Sequence, residues 1–462
     1  MSVVFLAMAV LTGFFLVRLP WPNKLRLCRH DVLRVSLGAG IGLAIASVVA
    51  FVVDALFGGN ATLVAVADAV LFAAALGSFL RFRRAVACPF CARPGSKADW
   101  PVWTAALAAI ASAVILFCLF NAMNPYGEWD AWAIWNKAAR FVASGPNWNQ
   151  MFAPSLAWAP QDYPLLVPGA IANFWMASGS FSTVAPAVVA ATFLFGAAGA
   201  LFGILDLLRN RAQALIALTT LFGAAAVIRM GASQYADVPV GFFYLAGLAS
   251  FCISDAFPDD RHSWWLAGFA AGCAAWTKNE GLVFIAIVVL ARVFSSWRAG
   301  RIEADWRRIG LMILGAAPLL LIALWFKTVY APPNYLFTEP QPLSARLGDV
   351  SRYMTVTVEF GRQMLTFGGW LVPPVIVAIV YAWLMGRTRE SRTGQRTALI
   401  ALIAMTIAYA GVYVMTTKDV NWQIDTSLSR VLMQLWPSAV LVYFLYVRAP
   451  EAKCTTRAWT KR

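Results

Sequence analysis

Apolar residues run along the chain in long blocks, and short clusters of Arg, Lys, Pro, Gly and Asn separate them. A bilayer's hydrocarbon core takes about 20 apolar residues per helical span. On that measure the pattern predicts about thirteen spans: 1–18, 33–57, 61–80, 101–123, 183–207, 213–229, 237–255, 264–277, 281–296, 309–328, 368–385, 398–416 and 431–447. The pieces 264–277 and 281–296 are the shortest of them. The stretch 164–180 is also apolar, but Pro164, Pro168 and Gly169 interrupt it early, which predicts a re-entrant or interfacial helix. Residues 1–17 carry no basic leader and no small-residue cleavage site, so they read as a retained first span.

The expected fold is therefore all-α: a polytopic membrane protein of about 11–13 transmembrane helices. Interfacial helices are expected in its first large loop. One transmembrane domain covers 1–462, with no separate soluble domain. Composition agrees, since 60% of residues are hydrophobic and 13% charged. Soluble domains carry about 25% charge. A soluble enzyme, a disordered chain and a secreted disulfide scaffold are excluded.

The net charge of +15 would suggest nucleic acid in a soluble protein. Here the charges segregate by side, so no nucleic acid partner is expected. With the N-terminus outside, 27 of the 37 Lys and Arg residues fall in the inward loops, as membrane topology favours. The two longest connections, 124–182 and 329–367, then face outward. So do the segments 230–236, 277–280 and 417–430, and most of the chemically interesting side chains sit in these five pieces. No P-loop or Gly-rich phosphate fingerprint is present, which argues against an ATP-driven transporter.

The first outer loop opens with Asn124-Pro-Tyr-Gly127-Glu128-Trp129-Asp130-Ala-Trp132-Ala-Ile-Trp135-Asn136-Lys137. A turn at Asn124–Gly127 followed by a helix from Trp129 would spread Trp129, Trp132 and Trp135 over one broad face. Asp130 and Lys137 would share the other. Such a helix lies flat at the membrane surface and holds a carboxylate at the water–lipid boundary. The tryptophans also suit a plain aromatic belt. Asp162-Tyr163-Pro164 closes the loop.

Asp237, at the start of another span, suits either a helix cap or a second carboxylate of a site. In Thr277-Lys278-Asn279-Glu280-Gly281, Lys278 and Glu280 form an internal pair, or Lys278 binds an anion with Glu280 positioning it. Arg430 follows Asp425 and Ser427, either of which can cap the last span. A cation in a first turn opposes the helix dipole, so Arg430 needs a phosphate or an acid such as Asp425 as partner. Together these give carboxylates for base chemistry and cations for a phosphate on one face. Glycosyl transfer from a lipid phosphate requires that combination.

The same segments resemble the GT-C superfamily of integral-membrane glycosyltransferases, in the bacterial branch near the protein O-mannosyltransferases and the lipid A aminoarabinose transferase. The resemblance rests on Gly127–Lys137, Ala236-Asp-Val-Pro239, Thr277–Gly281 and Ser429–Pro437. It implies an inverting transfer from a polyprenyl-phosphate-linked sugar to an envelope glycan, lipid or protein. It places the active site on the periplasmic face of a bacterial inner membrane, among membrane lipids. It makes the acid of the first loop the base, Asp130 or Glu128; the helical reading favours Asp130. Lys278 and Arg430 are the expected donor-phosphate ligands, with Asp237, Glu280, Asp162 and Lys137 in support.

Relatives often show an Asp-Glu pair where this chain has Glu128-Trp129-Asp130. Many also continue into a soluble C-terminal domain, whereas this sequence ends soon after its last apolar block. No particular cofactor is indicated, and a divalent metal is not strictly required if Lys and Arg neutralise the phosphate. Cys88-Pro-Phe-Cys91 with Cys28 and His30 offers a Cys₃His set for zinc, although unlinked thiols account for these residues more simply. Other readings are a polytopic transporter or flippase, and a polysaccharide polymerase or ligase. The absence of a clear internal repeat weighs against the first, and the lack of an outer histidine against the second.

Overall fold

The computed structural model describes residues 2–18, 31–82, 99–258, 261–334, 336, 342–370, 373–388 and 392–450. Among these residues every regular element is helical, and an isolated bridge joins Arg387 to Val447. Among the described residues nine helices are long and apolar enough to cross a membrane, or up to eleven if each of two bent pairs is one span. The chain is a multi-pass integral membrane protein. Cys28, His30, Cys88 and Cys91 lie outside the described residues.

The helices are α1 (Ser2–Arg18), α2 (Asp31–Phe57), α3 (Ala61–Phe82), α4 (Trp100–Met123), α5 (Asn136–Val142), α6 (Leu166–Ser178), α7 (Val184–Leu208), α8 (Arg211–Gly223), α9 (Ala225–Ala232) and α10 (Asp237–Ala256). They continue as α11 (His262–Thr277), α12 (Asn279–Arg298), α13 (Ile302–Val329), α14 (Leu343–Gly348), α15 (Val350–Thr366), α16 (Pro374–Met385), α17 (Thr393–Met415) and α18 (Val420–Tyr446). Connections alternate between two ends of the bundle. One, the loop end, carries 124–183, 330–334 and 342–349. The other, the basic end, carries the breaks at 209–210 and 299–301.

At the centre stands α10, packed by α2, α7, α9, α11, α17 and α18. It is apolar on all sides, as a helix enclosed by other helices must be. Close approach of α1 to α2 depends on small residues: a side chain on Gly13 would run into the Gly38 carbonyl.

Two of the expected spans are parts of bent pairs, and one of them, 368–385, holds only the second half of its pair, α16, turned by 79° from residues 350–369. The expected span 213–229 is a bent pair, α8 and α9, turning by 68° at Ala224. The expected pieces 264–277 and 281–296 are α11 and α12, separated by one extended residue, Lys278 (φ −149°, ψ 159°). A helix as short as α11 suffices because it packs on α10, α12 and α13 and is buried over nearly its whole length. The stretch 164–180 forms α6, buried against α2 and closed by Gly179 in the left-handed region. Its Pro168 falls in the first turn, where a missing N–H costs no helical hydrogen bond.

Candidate functional site

At the loop end the chain turns sharply after α4. Gly127 takes φ 74°, and a side chain there would collide with Ala131 and the Ser233 carbonyl. The Glu128 amide donates to that same carbonyl at 3.2 Å. This ties the first loop to the 233–236 linker ahead of α10. Gln234 in the linker has φ 61°, a strained backbone for a residue with a side chain. Its side chain is held from both directions. Asn136 donates to Gln234 Oε1 at 2.9 Å, and Gln234 Nε2 donates to Asn121 Oδ1 at 3.0 Å. The strain is paid for by these bonds, which fix the entry to α10.

Ala131–Trp135 is a π-helical turn rather than α-helix. Such turns shift the register of the side chains that follow. The expected single tryptophan face is therefore split. Trp129 and Trp132 are exposed, and with Trp158 they form an edge-packed cluster, whereas Trp135 is buried against Tyr163. Asp130 and Lys137 do not share a partner either. Lys137 lies over the Trp158 ring at 4.6 Å, and burial lowers its pKa.

Asp130 pairs with Arg430 of α18, three hundred positions away in sequence. Arg430 also approaches Asp237 Oδ2 at 3.6 Å and lies over the Tyr235 ring at 4.7 Å. Lys278 Nζ bridges Asp237 at 3.0 Å and Glu280 at 3.1 Å. Gln434 donates to Asp237 Oδ1 at 2.7 Å and accepts from the Tyr409 hydroxyl at 2.5 Å. Asp130, Arg430, Asp237, Lys278 and Glu280 thus form one chain of charges drawn from four distant segments. Three acids face two bases, so the array carries one formal negative charge when all are ionised.

Exposure is graded along it. The side chains of Asp237 and Lys278 are 1% and 4% exposed, whereas Asp130, Arg430 and Glu280 are 14%, 21% and 21% exposed. The array has a closed floor and an open rim. Tyr235, at the rim, accepts the Asp130 N–H at 3.3 Å, and burial pushes its pKa up to about 12. It is a neutral phenol at physiological pH.

The other expected residues sit apart from these five. Glu128 pairs with Arg229 of α9 at 3.0 Å, on the exposed side. Asp162 is a tie point: Lys327 of α13 donates to its Oδ2 at 3.0 Å, and Asn279 and Asn334 do so at 2.8 Å each. Asp162 thereby fastens the first loop to α13 and to the start of α12.

Asp425 is exposed, and neither it nor Ser427 caps the last helix. That helix starts earlier, at Val420, where Asp419 accepts the Trp422 N–H at 2.8 Å. Arg430 is then an interior helix residue, and its acid partners are Asp130 and Asp237.

Gln434, Arg229, Lys327 and Asn334 escaped the sequence reading. Gln434 had a visible signal: it follows Arg430 by four residues, so both lie on one helix face. Arg229, Lys327 and Asn334 had none, because their partners are far away in sequence.

Among the described residues no group of three or more His, Cys, Asp or Glu side chains could hold a metal ion. Fold and site together define a polytopic, all-helical membrane protein with an ionic array at one end. No protein-family model, curated protein or solved structure matches the chain.

Proposed function

We propose that the chain is an inverting glycosyltransferase that moves a sugar from a polyprenyl-phosphate donor to an envelope acceptor. Its site would face the periplasm of a bacterial inner membrane. The observation that carries this reading is the five-residue array, with base candidate and phosphate cations side by side at the loop end.

In this mechanism the acceptor hydroxyl attacks the anomeric carbon from the side opposite the phosphate. The new bond joins acceptor oxygen to that carbon, and the bond from carbon to phosphate oxygen breaks with its electron pair. The acceptor proton goes to the Asp130 carboxylate. Arg430, at the open rim, offsets the charge gathering on the departing phosphate, and Lys278, sealed beneath it, adds to this through space. Asp237 and Gln434 hold the two cations in place, and Glu280 fixes Lys278. The arriving phosphate competes with Asp130 for Arg430, so donor binding frees the base.

Asp130 is favoured over Glu128 because it touches the cation expected to meet the phosphate. Glu128 instead pairs outward with Arg229.

The test is transfer by purified protein in nanodiscs supplied with envelope extract and a pool of polyprenyl-phosphate sugars. Mass spectrometry would follow release of polyprenyl phosphate. Asp130→Asn is expected to lower release by about 10²–10⁴-fold, the usual range for losing a general base. Release at the normal rate would remove Asp130 from the mechanism. Movement of an intact lipid-linked sugar across the bilayer, with no bond broken, would favour a flippase.

A further inference from the structure

At the basic end a cleft of about 540 Å³ opens between the last turn of α12 and the first turn of α17. Phe294, Arg298, Ala299, Thr393 and Arg396 line it, and no acid does. Among the described residues neither Arg298 nor Arg396 makes an ion pair. The nearby Asp255 is already engaged, by Arg292 at 3.5 Å and by the Gly394 amide.

Arg298 stands at a helix C-terminus, where a cation is favoured. Arg396 stands at a helix N-terminus, where the dipole opposes it, and the first turn of α17 contains no acid to relieve it. Two guanidinium groups and a positive helix end converge on one open space. An anion placed there is attracted by all three, and the two full charges outweigh the negative end of α12 that also borders the cleft.

The surroundings distinguish a lipid anion from a soluble one. α12 and α17 are both long and apolar enough to cross a membrane, so the cleft sits where a span meets its polar end. Phe294, within the cleft, and Trp297, beside Arg298, are exposed on α12. Exposed aromatic rings at a span's end belong at headgroup depth. A cationic mouth above an apolar, aromatic wall matches a charged headgroup above an acyl chain. A basic pocket between spans is the recognised form of such a site.

We propose that this cleft binds the phosphodiester headgroup of an anionic phospholipid, with Arg298 and Arg396 on the phosphate and Phe294 against the acyl region. The inference does not depend on the proposed transferase activity.

The test is native mass spectrometry of the full chain in detergent, titrated with dioleoylphosphatidylglycerol, dioleoylphosphatidylcholine or inorganic phosphate. The expected result is tighter binding of phosphatidylglycerol than of phosphatidylcholine. Arg298→Gln with Arg396→Gln should weaken phosphatidylglycerol binding by roughly 30-fold, from about five-fold per arginine near a charged headgroup. Arg298→Lys with Arg396→Lys should retain most of it. The control pair Arg261→Gln with Arg307→Gln removes the same charge from exposed positions outside the cleft and should leave binding unchanged.

Equal loss in the cleft and control pairs would reduce the effect to overall charge and overturn the proposal. Equal affinity for the two lipids would overturn it as well. Displacement of phosphatidylglycerol by millimolar inorganic phosphate would reassign the cleft to a soluble anion.

Discussion

The protein buries charge at both ends, and the two networks differ in one respect. At the basic end Arg292 lies between Asp255 at 3.5 Å and Asp305 at 3.4 Å, with its guanidinium over the Trp264 ring at 4.1 Å. Asp305 also accepts from Ser296 at 2.8 Å and pairs with Arg308 at 3.2 Å. All three central groups are sealed. At the loop end the floor, Asp237 and Lys278, is equally sealed, but Asp130, Arg430 and Glu280 open toward solvent. The exposed members at the basic end are the flanking cations Arg308 and Arg301, at 23% and 43%, and both carboxylates are sealed, so this network presents no base. A network with an open rim can exchange one of its ion pairs for a ligand.

The comparison breaks if the closed network proves dispensable for folding. Arg292→Met would leave the buried Asp255 without a cation, Asp305 keeping Arg308, and breaking such a buried pair costs about 3–5 kcal/mol. Thermal unfolding in detergent should show that loss, while transfer per folded molecule stays near the parent value. At the open network Arg430→Gln should do the reverse. Transfer should fall by about 10²–10³-fold, the usual effect of losing one charge-stabilising group. Lys278 still neutralises Asp237, so unfolding should move less than in Arg292→Met. If both variants lose stability alike, the two networks are both structural.

Two smaller effects sharpen the boundary of the site. Glu128→Gln removes a pair whose arginine is mostly exposed, and such pairs contribute less than about 1 kcal/mol. Its transfer rate should stay within a few-fold of the parent. A fall matching that of Asp130→Asn would move the base to Glu128.

The weakest effect concerns Lys137. Burial depresses its pKa in the fold, so the folded state releases this proton before the unfolded chain does. Stability linked to Lys137 is therefore lower near neutral pH and rises as pH climbs toward the ordinary lysine range of about 10. Unfolding scans across that window should show the rise in the parent and not in Lys137→Met.

Much of the fold was legible because long apolar blocks admit few alternatives to membrane spans. α2, α4, α7 and α10 fall within a few residues of the blocks that predict them. The bends were not legible. Ala224, where α8 turns into α9, is an ordinary helix former, and Gly223 before it marks a weak point without giving the 68° change. The site was legible as residue types but not as pairings. Arg430 beside Asp425 suggested a local partner, yet tertiary packing brings Asp130 and Asp237 to it instead. The π-turn at Ala131–Trp135 also redirected Trp135 inward, which a fixed helical period cannot foresee. Lys278 and Glu280 did pair as a Lys-x-Glu break allows, but with Asp237 as a third member.

The central claim is that the loop-end array performs glycosyl transfer with Asp130 as its base. The most direct measurement is mass spectrometry of envelope glycans and lipid-linked sugars from three strains: the parent, a deletion, and the deletion expressing Asp130→Asn at matched protein level. The account predicts that one sugar disappears from an envelope component in both altered strains while its polyprenyl-phosphate form accumulates. A parental profile in the Asp130→Asn strain would contradict it.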